Sequence, residues 1–128
     1  MADVPNTAPP AIQAIAEING VPTTLHIQAF SDRYLVCVSQ VNKLGTIVAA
    51  KAEKTREGGP LAYDVRTLLG KRDDELLEVL ARRLIADIAA KQGTGRALLL
   101  TIALGPEAGA DGAALKQLYE FVAASAPW

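Results

Sequence analysis

The sequence has very little of the residues that most often carry chemistry. Its 128 residues include one cysteine, Cys37, and one histidine, His26. One cysteine cannot form an intramolecular disulfide, and one Cys with one His falls short of the about four ligands of a structural zinc site. We interpret His26 as a partly exposed strand histidine and Cys37 as a core cysteine rather than as a catalytic pair. We therefore predict a protein that is not an enzyme and uses no metal or cofactor.

Long apolar runs and an excess of one charge are also missing. No apolar run approaches the roughly 20 residues that span a bilayer. The N-terminus lacks the basic and apolar regions of a signal peptide. Thirteen basic and fourteen acidic residues leave a net charge of −1, which argues against a nucleic-acid or anionic membrane partner. We expect a protein of the cytoplasm or the nucleus, with neither nucleic acid nor membrane as a partner.

What the sequence does contain is the pattern of a single α+β domain. Residues 1–10 include three prolines and are predicted to be a disordered lead-in, and residues 11–128 have the size of one domain. The element order is β-β-β-β-β-α-β-α. The predicted strands are Ala11–Ile18, Thr23–Phe30, Arg33–Val41, Thr46–Ala50, Ala62–Leu69 and Arg96–Leu104, and the predicted helices are Asp73–Lys91 and Asp111–Ala124. This order favours an α+β fold with a mainly antiparallel sheet or sandwich of about six strands.

The third predicted strand is apolar on both of its sides. Tyr34, Val36 and Val38 point one way, and Leu35 and Cys37 point the other way. Such a strand must be covered on both faces. Because two helices cover roughly one face, the second cover must be the sheet folding over itself or a partner chain. An apolar patch of this kind usually marks an interaction site. We therefore predict that Tyr34, Leu35, Val36 and Val38 form a core or dimer surface of the sheet.

Four basic residues are considered as partner-binding positions. Lys43 lies in the turn before the fourth predicted strand, and Lys51, Lys54 and Arg56 lie in Lys51–Pro60, which is predicted to be an exposed, mobile loop. A solvated turn or loop is the simpler interpretation of each. As recognition elements they suit a protein partner better than a nucleic acid. Basic residues outnumber acidic residues in the loop by only one, and the loop has no aromatic side chain for stacking.

An ordered series of short motifs resembles the proteasome assembly chaperone 3 family. It covers about residues 18–128 and ends on a C-terminal tryptophan. The motifs are Gly20-Val-Pro-Thr23, Ala29-Phe30-Ser31, Gln40, Lys43, Gly45-Thr46, Val48, Leu68-Leu69-Gly70, Arg96-Ala97, Leu98-Leu99-Leu100, Leu115-Lys116, Leu118 and Trp128. The Pro-rich start, Lys51–Pro60 and the 105–114 loop depart from the family, so the resemblance says least about partner contacts in the loops.

The resemblance implies a non-enzymatic chaperone that requires neither ATP nor metal. It implies a small α+β sandwich that dimerises, typically with proteasome assembly chaperone 4, with a homodimer as the alternative for the isolated chain. The pair would bind α-type subunits of the 20S proteasome, mainly around α-subunit five, promote α-ring assembly and leave as β-subunits join. From composition alone, a small dimeric α+β adaptor or scaffold of trafficking or signalling remains the alternative.

Overall fold

The chain forms one six-stranded sheet and two helices. The computed structural model describes residues 11–18, 20–40, 45–57, 59–70, 75–103 and 112–128, with the backbone alone for 75–76 and 112–114. The strands are β1 (Ala11–Ile18), β2 (Val21–Ala29), β3 (Arg33–Ser39), β4 (Thr46–Lys54), β5 (Leu61–Leu69) and β6 (Ala97–Ala103), and the helices are α1 (Glu75–Gln92) and α2 (Gly112–Ser125). The predicted α+β class and element order are confirmed. The predicted lead-in lies outside the described residues.

The last strand in the chain lies in the middle of the sheet. The spatial order is β1-β2-β3-β6-β4-β5, so β6 is inserted between β3 and β4. It runs parallel to β3 and antiparallel to β4, and the remaining neighbours are antiparallel pairs. The predicted mainly antiparallel sheet is therefore confirmed. The central place of β6 agrees with the sequence of Ala97–Ala103, in which Thr101 is the one polar residue and is buried.

Both helices pack on one face of the sheet, which we call the helix face. Helix α1 contacts β4, β5 and β6, and α2 contacts β1 and α1. Apolar residues recur at helical spacing along α1, where Leu80, Leu84 and Ile88 are fully buried. Beneath the helices, the buried sheet residues include Leu25, Ile27, Tyr34, Val36, Val38, Val48, Leu98, Leu100 and Ile102. Burial of each large side chain contributes about 1.5–3 kcal/mol, so this layer is the main source of stability.

Neither described helix is long and apolar enough to cross a membrane.

Helix α1 ends at Gln92, and the next residue, Gly93, has a φ of +75° and donates its amide hydrogen to the carbonyl of Ala89. Glycine is favoured there because it adopts this left-handed conformation without a steric penalty. The helix therefore ends one residue beyond the predicted Lys91.

Strand β4 is longer than predicted. It continues from Ala50 to Lys54, so the prediction that a loop begins at Lys51 is wrong. Ala52 keeps the inward alternation and is buried, whereas Lys51 and Glu53 point to the opposite side. Pairing with β5 extends to the end of the strand. The strand resembled a loop in the sequence because its only inward residue in this part is a small alanine between charged neighbours.

Gly45 lies at a very close approach of two backbones. A Cβ at this position would lie 2.1 Å from the carbonyl oxygen of Ile102 and 2.8 Å from the Cα of Ala103. No side chain fits at such distances without movement of β4 or β6. This contact gives a physical reason for the glycine that precedes Thr46.

Replacing Leu100 by alanine tests the burial of the helix face. Leu100 is 0% exposed, whereas Leu68 on β5 is 54% exposed. We expect Leu100→Ala to lower the free energy of unfolding by about 2–5 kcal/mol, because it leaves a cavity under α1. The same substitution at Leu68 should change it by no more than about 0.5 kcal/mol. Urea denaturation of both variants measures the difference, and equal losses would contradict the described core.

Candidate interaction surface

The second face of the sheet has no helix over it in the described part of the chain, and we call it the open face. Its centre is formed by two rows of neighbours on β3, β6 and β4. One row is Leu35–Leu99–Ala49, and the other is Cys37–Thr101–Ile47. All of these side chains except the buried Thr101 are half-exposed. Polar residues of the flanking strands surround them: Gln13, Glu17, Thr24, His26, Gln28, Arg33, Lys51, Glu53, Asp64 and Arg66.

The four residues predicted as a core or dimer surface lie on different faces. Tyr34, Val36 and Val38 are on the helix face and at most 1% exposed, so they belong to the core. Leu35 lies on the open face and is half-exposed. Leu99 of β6 lies beside Leu35 on the open face and is not among the residues predicted for this surface. The signal was present, since β6 is apolar on both sides, but its place beside β3 could not be read from the chain order.

The rim of the open face is charged but balanced. A hollow of about 320 Å³ near the ends of β3 and β4 has three basic residues in its lining. Each forms an ion pair with a carboxylate close to it in the chain. The distances between nitrogen and oxygen are 3.0 Å for Arg33 and Asp32, 2.8 Å for Lys51 and Glu53, and 3.0 Å for Arg66 and Asp64. The hydrogen bond from Arg33 lowers the pKa of Asp32, and the bond to Glu53 raises the pKa of Lys51. Exposed pairs of this kind are weak, so the groups of a partner can exchange with them.

The structure brings His26 and Cys37 together on the open face. They are register partners on β2 and β3. Partial burial raises the pKa of the Cys37 thiol, and its hydrogen bond with Thr101 acts in the opposite sense. A catalytic cysteine needs a lowered pKa, because the thiolate is the nucleophile. The His26 ring has Gln13 at 3.4 Å from its Nδ1. The pair therefore does not have the character of an activated nucleophile.

In the described ranges no group of three His, Cys, Asp or Glu residues is placed to hold a metal ion. This agrees with the donor content of the chain, in which single Cys and His residues lie next to apolar and amide neighbours.

The predicted partner-binding lysines do not form one cluster. Lys51 is exposed on the open face and paired with Glu53, and Lys54 ends β4 three positions later, on the opposite side of the strand. Arg56 is exposed in the connection to β5. Lys43 lies outside the described residues. A role of these side chains in partner binding remains a prediction.

A hydrogen-bonded cluster at Tyr34 was not expected from the sequence. The Tyr34 hydroxyl donates to Oε1 of Gln92 at 2.8 Å and accepts from Nη1 of Arg96 at 2.5 Å. The Trp128 ring packs edge-on against Tyr34 with 4.9 Å between ring centroids. These contacts connect the start of β3, the end of α1, the residue before β6 and the last residue. Arg96 and Trp128 therefore have structural roles.

A second polar cluster connects the two helices. The Tyr119 hydroxyl of α2 donates a hydrogen bond to the carboxylate of Asp87 on α1. The guanidinium of Arg83 lies 3.9 Å from the centroid of the Tyr119 ring, within the range of a cation–π contact. The bond to Asp87 raises the pKa of Tyr119 above its ordinary value of 10.0, because the protonated phenol is the donor.

One helix-covered face and one apolar open face define a small α+β domain with a sheet surface available for another molecule. Comparison with known proteins agrees with this class. A family model described as proteasome assembly chaperone 3 matches residues 36–124. Proteasome assembly chaperone 3 of Bos taurus is 35% identical over 117 residues, which cover 91% of this chain and 92% of the relative. The Homo sapiens protein of the same name is 37% identical over 92 residues, covering 66% and 69%.

The chain therefore belongs to the proteasome assembly chaperone 3 family, and the resemblance seen in its motifs is confirmed. The fold has a solved counterpart in the crystal structure of a novel chaperone complex for yeast 20S proteasome assembly. That chain superposes with a TM-score of 0.63 at 12% identity, covering 89% of this chain and 95% of the yeast complex chain. At this identity the match describes the shared fold.

The Tyr119–Asp87 bond predicts a specific pH dependence. Because the pKa of Tyr119 is raised on folding, its contribution is complete below the unfolded pKa of about 10 and is lost as the pH rises through the folded pKa. We expect Tyr119→Phe to be less stable than the wild type at about pH 8, with the difference shrinking above about pH 10. Urea unfolding of both proteins across this range measures it. A difference that stays constant with pH would contradict the proposed bond.

Proposed function

We propose that the chain is a non-enzymatic chaperone of 20S proteasome assembly that works as a dimer formed through its open face. Membership of the proteasome assembly chaperone 3 family supports the chaperone role over that of a trafficking or signalling adaptor. The observation that carries the dimer is the apolar centre of the open face, where Leu35, Leu99 and Ile47 lie half-exposed. Contiguous apolar surface of this kind commonly marks an interface.

The size of the open face suits a stable dimer. Six strands about 4.8 Å apart and at least about 23 Å long present about 600 Å² per partner. Two such faces bury about 1,200 Å² in total, the lower limit of a standard interface. Sheets pack face to face at about 10 Å, at which distance Leu35 and Leu99 would interdigitate with side chains of the partner. The second cover expected for β3, β4 and β6 would then come from another chain.

We propose a proteasome assembly chaperone 4-like subunit as the partner, with a homodimer when the chain is alone. The family supports this choice, and the balanced ion pairs at the rim oppose neither alternative. The pair would bind α-type subunits of the 20S proteasome, mainly around α-subunit five, and leave as β-subunits join. Its action would take place in the cytoplasm or the nucleus. The raised pKa of the Cys37 thiol and the absence of an activated nucleophile on the described open face support a role without catalysis.

A charge placed at the centre of the open face tests the dimer. We expect Leu35→Asp to keep the fold, because the side chain is half-exposed, and to abolish pairing, because an unpaired charge would be buried in the interface. Ala123→Asp, on the exposed side of α2, is the matched control and should pair normally. Native mass spectrometry with proteasome assembly chaperone 4 measures complex formation. Wild-type pairing by a folded Leu35→Asp variant would remove the open face from the interface.

The single thiol offers a second measurement without mutation. Cys37 lies beside Leu35 on the open face, so a bound partner should cover it. We expect its alkylation by iodoacetamide to slow in proportion to the fraction of chain in the complex. Alkylation at the rate of the free chain, under conditions where mass spectrometry shows full complex, would place the interface elsewhere.

Charge reversal tests the basic residues of the β4–β5 region. We expect Lys51→Glu, Lys54→Glu and Arg56→Glu together to leave the free energy of unfolding almost unchanged, because all three side chains are exposed. Binding to isolated α-type subunits should weaken, and most strongly at low salt, where surface charges are least screened. Reversal of Arg82 and Lys91 on α1 and of Lys116 on α2, which are all exposed, is the control for net charge. Affinity equal to that of the wild type would exclude these three basic residues from this contact.

A further inference from the structure

Strand β1 is an unusual edge strand. Among the described residues it pairs with β2 alone, so its other edge is unpaired. It has eight residues in regular register, without a bulge, and its only charge is Glu17. Ile15 at its centre is 77% exposed, the highest value among the described large apolar side chains. Long, flat, apolar edges of this kind readily pair with another strand.

The opposite edge strand, β5, also has exposed apolar side chains, Leu68 and Leu69, but it differs from β1 in register and in charge. Strand β5 has a register shift against β4, and it carries the Asp64–Arg66 ion pair on the open face. Bulges and charges are common means by which edges avoid unwanted pairing. The contrast indicates that the β1 edge, and not the β5 edge, is suited to accept a strand.

The sequence of β1 is nearly symmetric about Ile15. Ala14 and Ala16 flank it, Gln13 and Glu17 come next, and Ile12 and Ile18 follow. In an antiparallel pair of two copies centred on Ile15, a residue that precedes Ile15 in one copy faces the residue that follows it by the same number of positions in the other. Ile15 then lies opposite Ile15 of the second copy, and Gln13 lies opposite Glu17 of the second copy. An amide opposite a carboxylate is a favourable cross-strand pair, whereas two carboxylates are not.

The backbone hydrogen-bonding groups of β1 that point to its free edge are the ones that this arrangement requires. Ile18 pairs with Val21 across a connection of two residues, and the pair closing such a hairpin exchanges its backbone hydrogen bonds. Alternation along the ladder then directs the amides and carbonyls of Ala16, Ala14 and Ile12 toward β2. Those of Gln13, Ile15 and Glu17 are directed toward the free edge, and these are the residues that a second copy centred on Ile15 would meet.

We propose that the β1 edge binds the β1 edge of a second copy of this chain, antiparallel and centred on Ile15, so that two sheets join into one. The occupant is a second copy because the side-chain pattern and the free backbone groups are both self-complementary about the same residue. This contact is separate from the open-face dimer. It would join two dimers that are each formed through the open face. It would also persist in a variant that cannot pair through the open face.

Exchanging the polar pair tests the register in the full chain carrying Leu35→Asp, where the open face is blocked. We expect self-association, with Gln13→Glu raising the dissociation constant about tenfold, because it places Glu opposite Glu at two symmetric positions. Adding Glu17→Gln should restore the original value, since amide and carboxylate again face each other. Sedimentation equilibrium measures each constant. A monomer at all concentrations, or no rescue in the double variant, would overturn the proposal without affecting the open-face dimer.

Cysteine cross-linking provides an independent measurement in the Cys37→Ser background. Facing Cα atoms in the hydrogen-bonded pair lie about 5.5 Å apart, within disulfide range, so Ile15→Cys should form a covalent dimer on oxidation. Two copies of Gln13→Cys would be separated by four residues of strand, about 13 Å, and should remain uncross-linked. Equal cross-linking at both positions, or none at Cys-substituted position 15, would exclude this edge contact.

Discussion

The packing of two helices against one face of the sheet is the interaction on which the rest of the structure depends. Strand β6 lies at the centre of this layer, and its inward residues Leu98 and Leu100 are buried beneath α1. In the described ranges there are two helices, and both pack on the same side of the sheet. The apolar residues on the other side of β3, β4 and β6 are therefore left for a contact outside the described chain.

The polar interactions on the open face differ from those on the helix face. On the helix face, clusters around Tyr34 and Tyr119 connect strands and helices that lie far apart in the chain. On the open face, ion pairs are local and exposed, and the thiol of Cys37 has a raised pKa. A surface with an apolar centre and exchangeable polar groups is typical of recognition between proteins. The family of the chain and the physical character of this surface thus lead to the same kind of function.

Much of the fold could be predicted because alternation is a strong local signal. The bounds predicted for β1 match the structure, and the helical spacing of leucines located α1. The end of β4 was missed because Ala52 is a weak inward signal between Lys51 and Glu53. For the site, the pattern identified β3 as apolar on both sides but could not show which side the helices cover. That choice depends on the insertion of β6, and the Tyr34–Gln92 bond likewise joins residues 58 positions apart.

The alternation of β3 also separates two kinds of evolutionary constraint within one strand. Val36 can change only with the packing beneath the helices, whereas Leu35, the residue before it, is free to change together with whatever covers the open face. If the open face is the dimer surface that we propose, a lineage could alter its choice of partner through odd-numbered positions of β3 while the domain keeps its fold. Insertion of a single residue in this strand would exchange the two sets and disturb both at once.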